Sequence, residues 1–235
     1  MFKRWLKRSV KILTRILILF ILASSLLVFA IKFINPPISA MMIYKYIGNG
    51  QKSIQKEWVS LEDVSPNYPL AIIAAEDQRF LEHYGFDVKA IQQAIEHNKK
   101  SKSTWGASTI SQQLAKNLFL VPNRSIIRKG LEAYFTVLLE LFLSKERIME
   151  LYLNIVETGD SLYGVSIASE IYFNKKANSV EQREAALVAA SLPNPVKYNV
   201  GQPSTYLSNR SIWIQGQMKN LGGTGFLSEW YEAKN

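Results

Sequence analysis

Leu70-Ala-Ile-Ile-Ala-Ala-Glu76-Asp77-Gln-Arg-Phe80 is an apolar helical pattern that ends on two adjacent carboxylates. Helical spacing places Ile72, Ala75 and Arg79 on one face and Ile73, Glu76 and Phe80 on another, so Glu76 lies along an apolar ridge. Desolvation there raises a carboxyl pKa, as a general base working near neutral pH requires. The plainer reading is an N-cap or surface ion-pair acid, and the eleven residues alone favour it. His83 and Gly85 follow the pair closely.

Two downstream segments bear on that choice. In Gly106-Ala-Ser-Thr-Ile-Ser-Gln-Gln-Leu-Ala-Lys-Asn117, Thr109 and Gln112 are spaced as a capping box that starts a helix, and Gly106 loosens the turn before it. Ile110, Leu114 and Leu118 recur every four residues as a buried stripe, which groups Gln112, Gln113 and Lys116 on a polar side. Two amides and an ammonium suit a sugar and its phosphate, although a solvated helix face would read the same way. A third helix is expected to start at Ser125 and run through Leu143, with Ile127, Leu131, Tyr134, Leu138 and Leu141 as its core stripe. Within it Arg128 and Glu132 are four residues apart, hence neighbours, and taken alone they read as an exposed ion pair.

Composition narrows the class. The chain has 235 residues, 48% of them hydrophobic, enough for one sizeable domain. A net charge of +9 suggests nucleic acid or an anionic surface, but position changes that reading. Seven of the 28 Lys and Arg precede Pro36, where no Asp or Glu occurs, which leaves 21 basic against 19 acidic residues after it. The charge is a topology signal, and no nucleic-acid partner is expected. Between Arg15 and Lys32 every residue is apolar or small; with flanking Ile12-Leu13 and Phe33-Ile34 the run is long enough to cross a bilayer. A cleaved secretory signal is the competing reading, but the apolar run is longer than such signals carry. The expected organisation is a basic cytoplasmic tail at 1–11, a transmembrane anchor at 12–34, a membrane-proximal connecting region at 35–68 and a predominantly helical domain at 69–235. The basic residues before the anchor place the N-terminus in the cytoplasm and the bulk of the chain outside. The absence of cysteine is compatible with an oxidising compartment.

Glu76-Asp77-x-x-Phe80-x-x-His83-x-Gly85, the Gly106–Asn117 segment and Arg128-Lys-Gly-Leu-Glu132, in this order and spacing, resemble the peptidoglycan glycosyltransferase family, which polymerises lipid-linked disaccharides into cell-wall glycan. Lys145-x-Arg-Ile-x-Glu-x-Tyr-Leu-Asn154, Gly164-x-x-x-Ala168-x-x-x-Tyr172-Phe173, Glu184–Pro195 and a closing helix with Arg210, Trp213 and Met218 extend the likeness from Pro69 to Gly223, with the Lys145–Asn154 and Gly164–Phe173 segments read mainly as scaffold. Thr158 and Ser169 depart from the family pattern at positions away from the carboxylates. The resemblance is nearest to the monofunctional branch, the biosynthetic transglycosylases, since no room is left for the transpeptidase domain of bifunctional penicillin-binding proteins.

What the resemblance implies is specific. The fold is all-α and lysozyme-like, with a small membrane-proximal jaw and one preceding transmembrane helix. Glu76 and Glu132 are the catalytic carboxylates; Lys116, Arg124, Arg128 and Lys129 face the diphosphate; Asp77, Ser108, Gln112, Gln113 and Asn117 join the substrate-binding set. The substrates are lipid II and the lipid-linked nascent glycan, with cell-wall synthesis or division proteins as further partners, at the bacterial cytoplasmic (inner) membrane. No organic cofactor is expected. A metal, if used, would be oxygen-bound Mg²⁺ or Mn²⁺, because zero Cys and two His argue against zinc. A lysozyme-like hydrolase or lytic transglycosylase needs an acid at a poor leaving group, whereas a diphosphate needs only cations, and the cation cluster favours the second. A silent membrane-anchored partner of the wall-building complex is the remaining alternative, which the intact carboxylate pair disfavours.

Overall fold

The computed structural model describes residues 2–48, 53–101, 105–123 and 125–232, and these are overwhelmingly helical. Helix α1 (Phe2–Ile31) holds the apolar run, with a stretch from Lys7 to Ile31 long and apolar enough to cross a membrane. It stops at Ile31, earlier than the expected end of the anchor at 34. Arg147 explains the early stop: its guanidinium takes the carbonyls of Ile31 and Ile34 and the side chain of Asn35, satisfying acceptors that the end of a helix leaves open.

The stretch after the anchor carries structure of its own. Helix α2 (Ala40–Gly48) is capped by Ser39 and packs on α5 (Ile110–Phe119). Strand β1 (Gln55–Lys56) pairs in parallel with β3 (Leu162–Tyr163), which pairs antiparallel with β2 (Glu157–Gly159), in the order β1-β3-β2.

At the centre of the domain lies α3 (Asn67–Glu76), buried on every side from Tyr68 to Ala74. Such a helix must be enclosed by others. It is held between α9 (Gln182–Ser191), whose alanines allow close approach, and α10 (Thr205–Asn220). The helical reading through Phe80 is corrected here: α3 ends at Glu76, because Asp77 adopts φ −160°, ψ 72° and turns the chain away. Helices α4 (Val88–Lys100), α6 (Ile126–Phe142), α7 (Lys145–Ile155), α8 (Val165–Phe173) and α11 (Ser228–Glu232) complete the described elements.

In α6 the expected core stripe is also corrected. Ile127 and Leu141 are exposed, and the buried side carries Glu132, Phe135, Thr136, Leu138 and Leu139. Two partners set this rotation. Glu132 faces inward to its cations, and Tyr134 faces α1, where its hydroxyl lies 2.7 Å from Ser24 Oγ and its ring 5.6 Å from Phe20. Exposed Ile126, Ile127, Val137 and Leu141 thus share the apolar character of α1 itself.

Gly164 shows how tightly the sheet meets α7. Its φ is +86°, and an added Cβ would stand 2.9 Å from the Asn154 carbonyl oxygen, a backbone atom that cannot step aside. Gly164→Ala should lose about 1–3 kcal/mol, read as a fall in melting temperature of about 2–4 °C per kcal/mol. Gly130→Ala, in open space within α6, should leave the melting temperature equal or raise it.

Candidate active site

The site is assembled where the end of α3 meets the start of α5. Glu76 is the last residue of α3, and its Oε2 accepts a 2.7 Å hydrogen bond from Gln113 Nε2 on α5. Gln113 Oε1 accepts in turn from the hydroxyl of Tyr152 on α7, at 2.8 Å. Burial pushes the Glu76 carboxyl above its ordinary value of 4.5; the Gln113 bond and the charges of Arg210 and Lys116 oppose that rise without cancelling it, and Asp77 adds to it. The expected desolvated carboxylate is therefore present, although by the protein wall closing over the helix end and not by an apolar ridge running to Phe80.

Both oxygens of the Asp77 carboxylate are taken by the protein. Asp77 touches the edge of the cleft, but Oδ1 accepts from His83 Nε2 at 2.9 Å and Oδ2 from the backbone N–H of Ile110 at 3.1 Å. His83 and Gly85 now have physical reasons. Gly85, at φ +83°, lies so close to α6 that a Cβ would meet Thr136 Cγ2 at 2.7 Å, and its carbonyl accepts from Thr109 Oγ1 at 2.7 Å. Gln112 is buried instead of lying on the polar side, and it completes the expected capping box, its Oε1 accepting from Thr109 N–H at 3.0 Å while Thr109 Oγ1 accepts from Gln112 N–H at 3.2 Å. The polar face of α5 therefore consists of Gln113, Lys116 and Asn117.

Glu132 is 3% exposed, so the reading of an exposed ion pair fails. Its Oε2 accepts from Arg128 Nη1 at 2.7 Å and its Oε1 from Lys129 Nζ. Lys116 lies within electrostatic reach of both carboxylates and of both cations on α6, and burial lowers its pKa. Arg124 lies outside the described residues. Both oxygens of Glu132 are engaged, and among the described residues no group of three or more His, Asp or Glu forms a metal site of its own, so a Mg²⁺ or Mn²⁺ ion would depend on oxygens of the substrate diphosphate.

Two openings flank Gln113. On one side, a cleft of about 560 Å³ is lined by Glu76, Arg79, Trp105, Ser108, Arg210 and Trp213. On the other, a cleft of about 490 Å³ holds Gln113, Lys116, Asn117, Tyr152 and the ion pair Lys45–Glu157, and Lys116 continues into a smaller one with Arg128 and Met41. Arg210, Trp213, Trp105, Tyr152 and Lys45 were not reached as site residues from the sequence. Arg210 sits 4.2 Å over the Trp213 ring and reaches the Ala75 carbonyl at 3.5 Å, which brings a C-terminal helix to the catalytic end of α3. Tyr152 stood inside the Lys145–Asn154 pattern, two residues before its end, and Arg210 and Trp213 inside the closing helix, whereas Trp105 and Lys45 lay outside every recognised segment.

A family described as Transglycosylase matches residues 42–219. The chain belongs to the transglycosylase family. The match begins inside α2, so the family's own boundary takes in the segment that pairs with the sheet. Among curated relatives, biosynthetic peptidoglycan transglycosylases of Shewanella oneidensis and Haemophilus influenzae are 48% and 49% identical. The first is aligned over 93% of this chain and 95% of the relative, the second over 96% and 92%. One of Cronobacter sakazakii is 50% identical over 82% of each chain.

Because Glu76 holds its proton more tightly folded than unfolded, its contribution to stability declines as pH rises from 4.5 through the raised value. Glu76→Gln should therefore melt above the parent at pH 7, and the gain should vanish below pH 4.5, as followed by thermal denaturation across pH.

Proposed function

We propose that this member of the transglycosylase family is a peptidoglycan glycosyltransferase that polymerises lipid II into β-1,4-linked glycan. The observation that carries the reading is a largely desolvated carboxylate, Glu76, held by Gln113 one helical turn from Lys116, the start of a cation cluster. Glu76 takes the proton of the acceptor's 4-hydroxyl as that oxygen attacks the anomeric carbon of the lipid-linked chain. The bond from that carbon to the diphosphate breaks, the configuration inverts from α to β, and the polyprenyl diphosphate leaves with its charge carried by Lys116 and Arg128. Lys129 and Arg128 are held in place by Glu132, which makes Glu132 the organiser of the cations. No step of this reading is routed through a metal.

Hydrolysis of finished glycan fits less well. It needs a carboxylic acid aimed at a poor leaving oxygen, and both oxygens of Glu132 already receive N–H donors. A catalytically silent role leaves the Glu76–Gln113 pairing without purpose.

The reading also places α1 as a single-pass anchor in the cytoplasmic membrane, N-terminus inside and catalytic domain outside. The exposed apolar residues of α6 beside α1 support a domain seated against the lipid.

Three outcomes are expected. Glu76→Gln, incubated with lipid II, should polymerise about 10²–10⁴-fold more slowly while still binding it. Lys116→Ala removes a charge-assisted contact worth about 1.5–3 kcal/mol, so turnover should drop tenfold or more; unchanged rates would sink the diphosphate assignment. The full-length protein should sediment with membranes through high salt, and a reporter fused after Asn235 should act only outside the cytoplasm.

A further inference from the structure

Tyr152, buried in the last turn of α7, has no role in the reading so far, yet its hydroxyl donates to the end of the Gln113 amide away from Glu76. A side-chain amide has two near-identical ends, an acceptor oxygen and a donor nitrogen, and rotation by half a turn exchanges them. Glu76 as a charged base needs the nitrogen; facing the oxygen, it would present one acceptor to another. Nothing in the Glu76–Gln113 contact alone forbids the wrong rotation once the carboxyl is protonated, because a carboxylic acid donates to an amide oxygen equally well.

We propose that Tyr152 is a positioning residue for Glu76 that acts through Gln113, its hydroxyl hydrogen fixing the amide with Nε2 toward the carboxylate. The proposal rests on the reading of Glu76 as general base. Tyr152 O–H donates to Gln113 Oε1 at 2.8 Å and Gln113 Nε2–H donates to Glu76 Oε2 at 2.7 Å, so both dipoles run the same way and end on the negative charge. Reversing the amide would break both bonds and leave the buried tyrosine hydrogen facing a donor. Burial raises the Tyr152 hydroxyl well above its ordinary value, so it stays a donor throughout the working range.

The platform is rigid. Tyr152 is 0% exposed, and α7 is buried from Ile148 to Ile155 save for Glu150. Asn154, two residues on, locks α7 to Val59 through paired 2.8 Å bonds to its N–H and carbonyl. The hydroxyl is thus set by the scaffold and not by the substrate. The charges that face Glu76 are Arg210 from α10, Lys116 from α5 and Asp77 beside it. The buried face of α9 is uncharged from Ala185 to Ser191, the 3-10 turn Gly223–Leu227 is uncharged, and α7 offers only neutral Tyr152. None of these distinguishes the two rotations of the amide.

The test is the pH dependence of kcat/KM for lipid II polymerisation by the full-length protein. Tyr152→Phe keeps the ring and removes the hydroxyl, so Glu76 loses part of the hydrogen bond that favours its charged form. The acidic limb should move to higher pH by about one unit, a tenfold change in proton affinity, with the plateau lowered far less. In a Gln113→Ala background, where the limb has already moved, Tyr152→Phe should shift it no further. A loss that is uniform across pH, with the limb in place, is what a merely structural tyrosine gives and overturns the proposal. If Tyr152→Phe melts far below the parent, 3-fluorotyrosine at position 152 keeps the fold and strengthens the donor; the limb should then move to lower pH, and a fixed limb overturns the relay. Glu76→Gln run in parallel separates the two ideas. If it abolishes polymerisation while Tyr152→Phe leaves the limb in place, the relay alone fails; if it retains activity, the base assignment fails first.

Discussion

Two hydrogen bonds to the Asp77 carboxylate, from His83 Nε2 and from the backbone N–H of Ile110, fasten the end of α3 to the start of α5. The geometry of the candidate site depends on that joint. Glu76 precedes the joint by one residue and Gln113 follows it by one helical turn, so their 2.7 Å contact is a consequence of where Asp77 is held. A negative side chain at a helix N-terminus is favoured by the exposed N–H groups there, and burial makes the same bonds costly to break. The acidic pair therefore divides its labour: one carboxylate is spent on architecture so that its neighbour can be left with a proton to gain.

The electrostatics separate along α5 in the same way. At Gln113 the surroundings are desolvated and amide-lined, which suits a base; three residues on, Lys116 faces the α6 cations, which suits an anion. Glu132 is the counterweight. Buried and without its partners it would be a costly isolated charge, and Arg128 and Lys129 without it would repel one another. Beneath them Glu140, taken by Ser111 Oγ and by Lys145, ties α5, α6 and α7 together, and Lys145 lies 4.4 Å over the Phe80 ring. The final residues of the first motif thus serve as packing that keeps the two electrostatic zones in register.

Anchor and domain are coupled by polar bonds as well as apolar contact. Arg147 closes the end of α1, while the Ser24 hydroxyl, which also donates back to its own helix, meets Tyr134 on α6. These bonds give α1 a preferred side, turned toward α6 and α7. That preference explains why α6 exposes Ile127 and Leu141, although periodicity assigns them to the core.

Much was legible in the sequence because it is local. The long apolar N-terminal helix, the Thr109–Gln112 capping box and the Ile110–Leu114–Leu118 stripe follow from spacing and charge, and each lies within one element. Tertiary structure decided what spacing cannot carry. It ended α3 at Glu76, gave Asp77 to His83 and a backbone N–H, buried Glu132 between two cations, and brought Tyr152 from α7 to Gln113 and Arg210 from α10 to the end of α3. The physical reason is that periodicity tells which side of a helix avoids water but not what it meets there. A hydrogen bond between residues 39 or 135 positions apart is set only when the chain closes on itself.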